Sequence, residues 1–268
     1  MKYGFIGTGC MGGALATACA KAIGPEDILL SNRSPEKAQA LAEKLGAIPA
    51  DNETITRDCD VIFLGVKPQT MAQMLLPLQP ILTGRRTPFV LVSMAAGVAI
   101  EALQDMAGGR YPVVRIMPNT ACAVGAGMTT YTCSAEVTDR QRQAVLDALA
   151  ASGLLEEIEE GLMGAASAVA GCGGAYACLF LEGLADGGVL CGLPRKKAQR
   201  MAAQMLLGMA TQALESDEHT GTLKDAVCSP AGSTIAGIRK LESMSFRSAA
   251  MEAVIAAWER EREMQQQK

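Results

Sequence analysis

A strand, a glycine-rich turn and a helix follow one another within the first two dozen residues, and this succession constrains the fold more than any other stretch of the chain. The apolar run Lys2-Tyr3-Gly4-Phe5-Ile6 leads straight into Gly7-Thr8-Gly9-Cys10-Met11-Gly12. Met11, Leu15, Ala18, Cys19 and Ala22 then return at spacings of three and four, the period of one helix face. Such an arrangement makes a phosphate cradle. Gly7 permits the sharp turn, Gly9 has no side chain to hold a pyrophosphate off the backbone, and Gly12 lets the helix sit close on the strand. The unpaired N–H groups and dipole of the helix start then face the anion. The glycine spacing alone is weak evidence, and a merely tight strand-to-helix turn is the plain alternative. The strand before it and the helix after it favour a dinucleotide site.

The rest of the first half repeats the alternation. Residues 27–31 read as a second strand ending at Asn32-Arg33-Ser34-Pro35, where Ser34 can cap a helix and Pro35 can take its first position. That helix runs through Ala38, Leu41, Ala42 and Leu45 to Gly46, and residues 47–49 form a short third strand, with a small helix after Asp51-Asn52. Residues 61–66 are continuously apolar, as expected of a parallel strand covered on both faces. Further strands are predicted at 89–93, 113–117, 127–132 and 154–158, and helices at 71–82, 100–106 and from a Thr138 cap to about residue 152. Alternation of this kind predicts an α/β fold, a Rossmann-type doubly wound parallel sheet over residues 1–160. From Gly161 the strand signal stops. Helical patterns at 176–190, 194–214, 230–241 and from 247 onward predict an all-helical second domain, 161–268, and the tail 259–268 reads as a solvated helix end.

Composition excludes several classes. The 268 residues are 49% hydrophobic, ample for a core without a metal or disulfide staple. A net charge of -4 with no long basic run argues against nucleic acid as the main partner. The nine cysteines include no C-x-x-C pair, which fits a reduced, cytoplasmic protein. The opening apolar run is too short for a signal peptide and already serves the first strand. Residues 161–181 carry no charge and are long enough to cross a bilayer. They are dominated by Ala, Gly, Ser and Cys, however, and read as a helix buried between domains or subunits, with no membrane partner.

The end of the second strand bears on the cofactor. NAD sites place an acidic residue about 20 positions beyond the glycines, whereas this chain has Asn32 and Arg33 there. A guanidinium suits a 2′-phosphate, so NADP is favoured over NAD, with an ordinary surface arginine as the plain alternative. Ligands of open α/β sheets bind beyond the carboxyl ends of the strands. That edge carries Gly65-Val66-Lys67-Pro68, Met94-Ala95-Ala96-Gly97 and Met117-Pro118-Asn119-Thr120, each of which taken singly is an ordinary connection. In the second half, Ser229-Pro230-Ala231-Gly232-Ser233-Thr234 precedes a helical pattern. Ser229 is a candidate N-cap and Pro230 a candidate first helical residue. The N–H groups of Gly232, Ser233 and Thr234 could receive a small carboxylate. A capped helix start with no ligand is the bland reading. His219, the only histidine, sits in a polar stretch and reads as a solvated loop residue; no metal-ligand cluster or nucleophile motif can be assembled.

Residues 223–237, LKDAVCSPAGSTIAG, continuing to Leu241-Glu242, resemble the signature of pyrroline-5-carboxylate reductases. The phosphate loop, Asn-Arg, Val-Lys-Pro, Ala-Ala-Gly-Val and Met-Pro-Asn-Thr follow in that family's order and spacing, so the resemblance covers nearly the whole chain. It implies reduction of 1-pyrroline-5-carboxylate to L-proline by NADPH or NADH, the last step of proline biosynthesis. By position, Gly7, Thr8, Gly9, Cys10, Met11 and Gly12 would hold the pyrophosphate, Asn32 and Arg33 the adenosine ribose or its phosphate, and Asn52 a ribose. Val66, Lys67, Pro68, Ala95, Ala96, Gly97 and Asn119 would line the nicotinamide side. Gly232 and Ser233, with Ser229 ahead of them, belong to the substrate loop whose backbone takes the carboxylate. The Thr234 hydroxyl would bond the ring nitrogen as the catalytic contact, and Asp217 matches an acidic position near the substrate. The resemblance also implies a helical domain that interlocks two subunits, with homodimers assembling further into a homodecamer.

Two positions depart from the family pattern. Gly174 replaces a proline in Ala170-Gly171-Cys172-Gly173-Gly174-Ala175-Tyr176, which is expected to loosen a helix kink, and Ala121 replaces the proline after Asn-Thr, which is expected to leave the nicotinamide loop less fixed. Two other functions compete. An NADP-dependent reductase of another small imine or keto/hydroxy acid shares the glycine loop, but its hydroxy-acid form needs a lysine in the helical domain, where Lys196 and Lys197 begin a surface helix. A non-catalytic NADP-sensing protein would need no substrate loop.

Overall fold

The computed structural model describes residues 1–266; Gln267 and Lys268, the end of the predicted solvated tail, lie outside the described residues. Eight strands, β1 (Tyr3–Ile6), β2 (Ile28–Ser31), β3 (Ile48–Pro49), β4 (Val61–Leu64), β5 (Val90–Ser93), β6 (Val113–Pro118), β7 (Gly127–Cys133) and β8 (Gly153–Glu157), form one sheet in the order β3-β2-β1-β4-β5-β6-β7-β8. β1 lies between β2 and β4, with Phe5 in register with Leu30 on one side and Phe63 on the other. The strand order reverses there, so a crevice opens between the loops that follow β1 and β4.

Every residue of β1, β2, β4 and β5 is buried. Alternate side chains enter two cores, one on each face of the sheet, as strand periodicity requires. Phe5, Phe63, Val92 and Ile116 pack with Leu15 of α1 (Cys10–Ile23) on one face. Ile6, Ile62, Leu64 and Leu91 pack with Ile55 and Met71 on the other. Phe5 and Phe63 stack with ring centroids 4.3 Å apart. Helices α2 (Pro35–Leu45), α3 (Asn52–Asp58), α4 (Pro68–Leu75), α5 (Gln79–Gly84), α6 (Ile100–Ala107) and α7 (Asp139–Leu149) complete the alternation.

Two local differences from the sequence reading have plain causes. The helix expected at 71–82 is two helices, α4 and α5, joined by a 3₁₀ turn at Leu76–Leu78, because Pro77 and Pro80 remove two N–H donors. β7 runs antiparallel to β6, since the connection over residues 119–126 is too short for a parallel crossover. Every other pairing is parallel. Burial raises the thiols of Cys19 and Cys59 to about 12, which leaves both as inert core residues.

The chain packs as two compact units, residues 1–172 with the stretch from Ala257 onward, and Gly173–Ala256. The first unit includes α8 (Met163–Ala166) and the π-turn Ser167–Gly171. The second contains α9 (Gly173–Leu190), α10 (Arg195–Glu215), α11 (Thr220–Ala226), α12 (Ser233–Ser243) and the start of α13 (Phe246–Gln266). α11 was not anticipated; His219 caps it, its Nδ1 accepting from Gly221 N at 3.0 Å. The helical stretch Glu160–Leu190 is long and apolar enough to cross a membrane by length and composition. It was expected to be buried between domains or subunits; within one protomer Leu179 is 71% and Leu190 89% exposed, so the protomer by itself does not cover them. The tail also differs from a fully solvated end: Ser167 Oγ donates to the half-buried Glu261 at 2.5 Å.

Candidate active site

The phosphate cradle is built by three glycines with different jobs. Gly7 turns the chain at φ +99°, and its N–H donates to Ser31 O at 2.9 Å. A Cβ on Gly7 would lie 2.7 Å from Gly65 O, and one on Gly12 would lie 2.1 Å from Gly7 O. Both positions are therefore closed by backbone. A Cβ on Gly9 would meet nothing within 4 Å. Gly9 is the N-cap of α1 and has no side chain to cap with, and the first turn contains no acidic residue. The N–H groups of Cys10, Met11 and Gly12 thus lack intrahelical acceptors, beside open space. The donor set fits a dinucleotide pyrophosphate.

Around it, side chains stitch the adjoining loops together. Asn32 Nδ2 donates to Thr8 Oγ1 at 3.1 Å, while its Oδ1 accepts from Ser34 N at 3.1 Å. Both ends of the Asn32 amide are committed to holding the cradle against the turn after β2, and the exposed Arg33 is the cationic group beside it. Ser34 occupies the N-cap of α2 and Pro35 its first position as predicted, but the Ser34 hydroxyl makes no cap bond among the described residues. Asn52, the first residue of α3, accepts from Ser31 Oγ at 2.6 Å, which leaves its Nδ2 donors unpaired among the described residues. Its neighbour Asp51 caps α3, and the Thr54 N–H it accepts holds its carboxyl below the ordinary range.

The loops after β4, β5 and β6 reach the same edge of the sheet. Val66 is half-buried, Lys67 is the exposed N-cap residue of α4, and Pro68 is its first residue. Ala95 is buried, Ala96 exposed, and Gly97 takes the left-handed φ +70° that turns the loop toward α6. Ser93 Oγ accepts from Ala95 N at 3.3 Å. Asn119 Oδ1 accepts from Ala121 N at 3.2 Å and Met128 N at 3.3 Å, and its Nδ2 donates to Ala170 O at 3.1 Å. The loop expected to be loosened by Ala121 is thus restrained, through an N–H that a proline would lack. Near Gly174, α9 starts at Gly173 just after the π-turn, and Cys172 N donates to Ser167 O at 2.9 Å.

In the second unit the 229–234 segment forms a tight turn and a helix start. Gly232 N donates to Ser229 O at 3.0 Å, and Ala231 takes φ +57°. α12 begins at Ser233 with Gly232 as N-cap, so Ser229 is not the N-cap and Pro230 is not the first helical residue, contrary to the sequence reading. The left-handed Ala231 is what delays the helix. A Cβ on Gly232 would lie 2.4 Å from Ser229 Oγ and 3.1 Å from Ser229 O, so a side chain there would have to push the Ser229 hydroxyl aside. Ser229, Ser233 and Thr234 are exposed, and no acidic residue enters the first turn of α12. Asp217 is exposed in the loop between α10 and α11, and Lys196 and Lys197 are exposed in the first turn of α10.

Three residues absent from the sequence reading matter here. Ser31 holds Asn52, Ser93 holds Ala95, and Glu160 accepts from Ile100 N at 2.7 Å across 60 residues of chain. The first two end strands that were correctly predicted, so their place was legible though their bonds were not. Glu160 has no local signal.

A family model described as pyrroline-5-carboxylate reductase dimerisation matches residues 160–264, and one described as NADP oxidoreductase, coenzyme F420-dependent, matches residues 2–97. The chain is 40% identical over 266 residues to the pyrroline-5-carboxylate reductase of Methanosarcina acetivorans, covering 98% of this chain and 97% of that protein. It is 37% identical over 262 residues to that of Escherichia coli, covering 97% and 96%. The crystal structure of Plasmodium falciparum pyrroline carboxylate reductase with NADP bound superposes with a TM-score of 0.87 at 34% identity, covering 99% of this chain and 98% of that one.

Proposed function

Because this chain belongs to the pyrroline-5-carboxylate reductase family, we propose that it reduces 1-pyrroline-5-carboxylate to L-proline, the last step of proline biosynthesis, with NADPH as the favoured reductant and NADH as a second one. The observation that carries the reading is the cradle at Gly9, where a Cβ would meet nothing although the glycines on either side are closed by backbone. Gly9 is exposed, so the open space lies beside the uncapped N–H groups that start α1 and admits a pyrophosphate with no protein atom to displace. When bound, the reduced nicotinamide supplies the hydride that the imine carbon accepts.

The chain's own residues bind and orient. Gly7 to Gly12 receive the pyrophosphate, Arg33 the 2′-phosphate, and the Asn52 amide a ribose hydroxyl. Val66, Lys67, Pro68, Ala95, Ala96, Gly97 and Asn119 shape the nicotinamide side. Gly232, Ser233 and Thr234 offer N–H groups to the substrate carboxylate, with Ser229 bracing the turn and Asp217 near the substrate. The Thr234 hydroxyl bonds the ring nitrogen. An iminium is already a good electrophile, so orientation provides most of the acceleration.

The nucleotide role is assigned to residues 1–160 and the substrate and dimerisation role to 161–268, a division supported by the dimerisation match that begins at residue 160. The exposed apolar residues of α9, which a second copy would cover, support the homodimer, with a homodecamer as its further assembly. Nine free thiols fit a reducing compartment, the cytoplasm. The test is to follow NADPH absorbance with pyrroline-5-carboxylate, identify proline as product, and repeat with open-chain keto acids. Turnover of the cyclic imine is expected. Turnover of keto acids alone would replace this function with another small-acid reductase, and NADPH binding without turnover of either would make the protein a sensor.

A further inference from the structure

Arg115 is a buried charged residue on a sheet face where its cross-strand neighbours are Ser93 and Thr132. It follows Val113 and Val114 in β6, shares a face with Val113, and stands in register with Ser93 of β5. Its side chain is only 6% exposed, its Nη1 donates to Glu160 Oε1 at 3.2 Å, and its Nε is buried with no hydrogen-bond partner among the described residues. The same Glu160 Oε1 accepts from Ile100 N at 2.7 Å. Ile100 is the first residue of α6, and the residue before it, Ala99, has no side chain able to cap. Glu160 therefore serves as the cap of a helix 60 residues earlier, and a buried arginine holds it in place.

The loop between β5 and α6 is thereby fastened at both ends. Ser93 Oγ accepts from Ala95 N at the start, Glu160 accepts from Ile100 N at the finish, and Gly97 turns the chain between them. A capping bond could have come from any serine or aspartate at position 99. Burying a guanidinium to secure it instead is costly unless its placement matters.

We propose that Arg115 and Glu160 are positioning residues, which set the Ala95–Ala96–Gly97 backbone at the distance from the Gly9 cradle that hydride transfer requires. This rests on the nicotinamide-side role given above to that loop. Ile100→Pro removes the N–H while leaving the Arg115–Glu160 pair intact, at a first helical position where proline is tolerated and after an extended residue. Because Ile100 is also a core residue, Ile100→Val, which trims the same side chain but keeps the N–H, is its control and should retain wild-type kcat. A control as impaired as Ile100→Pro would overturn the proposal. Glu160→Ala removes the acceptor, and Glu160→Gln keeps an oxygen of equal reach. Ile100→Pro and Glu160→Ala should lower kcat by about ten- to a hundredfold, the cost of misplacing reacting atoms by about 1 Å. The KM for pyrroline-5-carboxylate should stay within about twofold, because its contacts lie elsewhere. Glu160→Gln should recover most of the loss.

NADPH affinity, titrated by its own fluorescence with no imine present, should weaken about two- to tenfold in the first two variants, the range of one hydrogen bond. Wild-type kcat and NADPH affinity in Ile100→Pro would overturn the proposal, as would a Glu160→Gln variant as impaired as Glu160→Ala. Should Glu160→Ala fail to fold, as thermal melting would show, Ile100→Pro decides alone. A wild-type chain that leaves the imine unreduced would count against the proposed reaction only, since the NADPH titration still reads the loop.

Discussion

Gly9 and Gly12 are three residues apart in one motif, yet the structure separates them by cause. Gly12→Ala would put a methyl 2.1 Å from Gly7 O, a backbone atom that cannot yield, so it should destabilise the fold by about 1–3 kcal/mol with a clear fall in Tm. Gly9→Ala meets no protein atom and should melt like the parent while losing NADPH affinity, as calorimetric titration would show. Equal melting losses in both would mean that the space at Gly9 is structural. Thr234→Ala should lower kcat/KM by about one to three powers of ten, the range for one oriented bond to the reacting centre; steady-state kinetics with an unchanged value would remove Thr234 from the reaction. Arg33→Ala should raise the KM for NADPH far more than that for NADH, because the Asn32 amide is already committed to Thr8 and Ser34 and Arg33 is the cation left to meet a 2′-phosphate. The motif residues were legible one by one. Their hydrogen bonds were not, because an amide's partners are chosen by whichever loop folds beside it.

At the scale of elements, strong local signals predicted well. The capping box at α7 is present as its sequence implies, with Gln141 N donating to Thr138 Oγ1 at 3.3 Å and Thr138 N to Gln141 Oε1 at 3.0 Å. Thr138→Ala should cost about 1 kcal/mol, readable as a lowered urea midpoint with an unchanged slope. Where local signals compete, the outcome needed three dimensions. Ser229 and Pro230 make a good helix start by composition, but a left-handed Ala231 postpones α12 to Ser233. Cap preferences of about 1 kcal/mol are small enough for one backbone turn to override. The missing proline at 121 had a similar fate, since Asn119 supplied the restraint that ring closure would have given.

For the molecule as a whole, the exposed apolar residues of the helical half make stability and association inseparable. Leu179, Leu190, Met201 and Leu207 are all exposed in one protomer, so burial in a dimer should raise Tm with protein concentration. Differential scanning calorimetry over a hundredfold dilution would show this, and a constant Tm would mean that the protomer is stable without its partner. Strand number, sheet order class, the glycine cradle and the change from alternating to helical structure near residue 160 were all set by periodicity and turn chemistry, which act over a few residues and are therefore written in the chain itself. Which way β7 runs, whether a long apolar helix is covered inside one protomer, and which residue 60 positions away caps α6 were decided by packing. Those outcomes depend on atoms brought together by the completed fold, and the contact between Arg115, Glu160 and Ile100 has no spacing or pattern from which it could have been read.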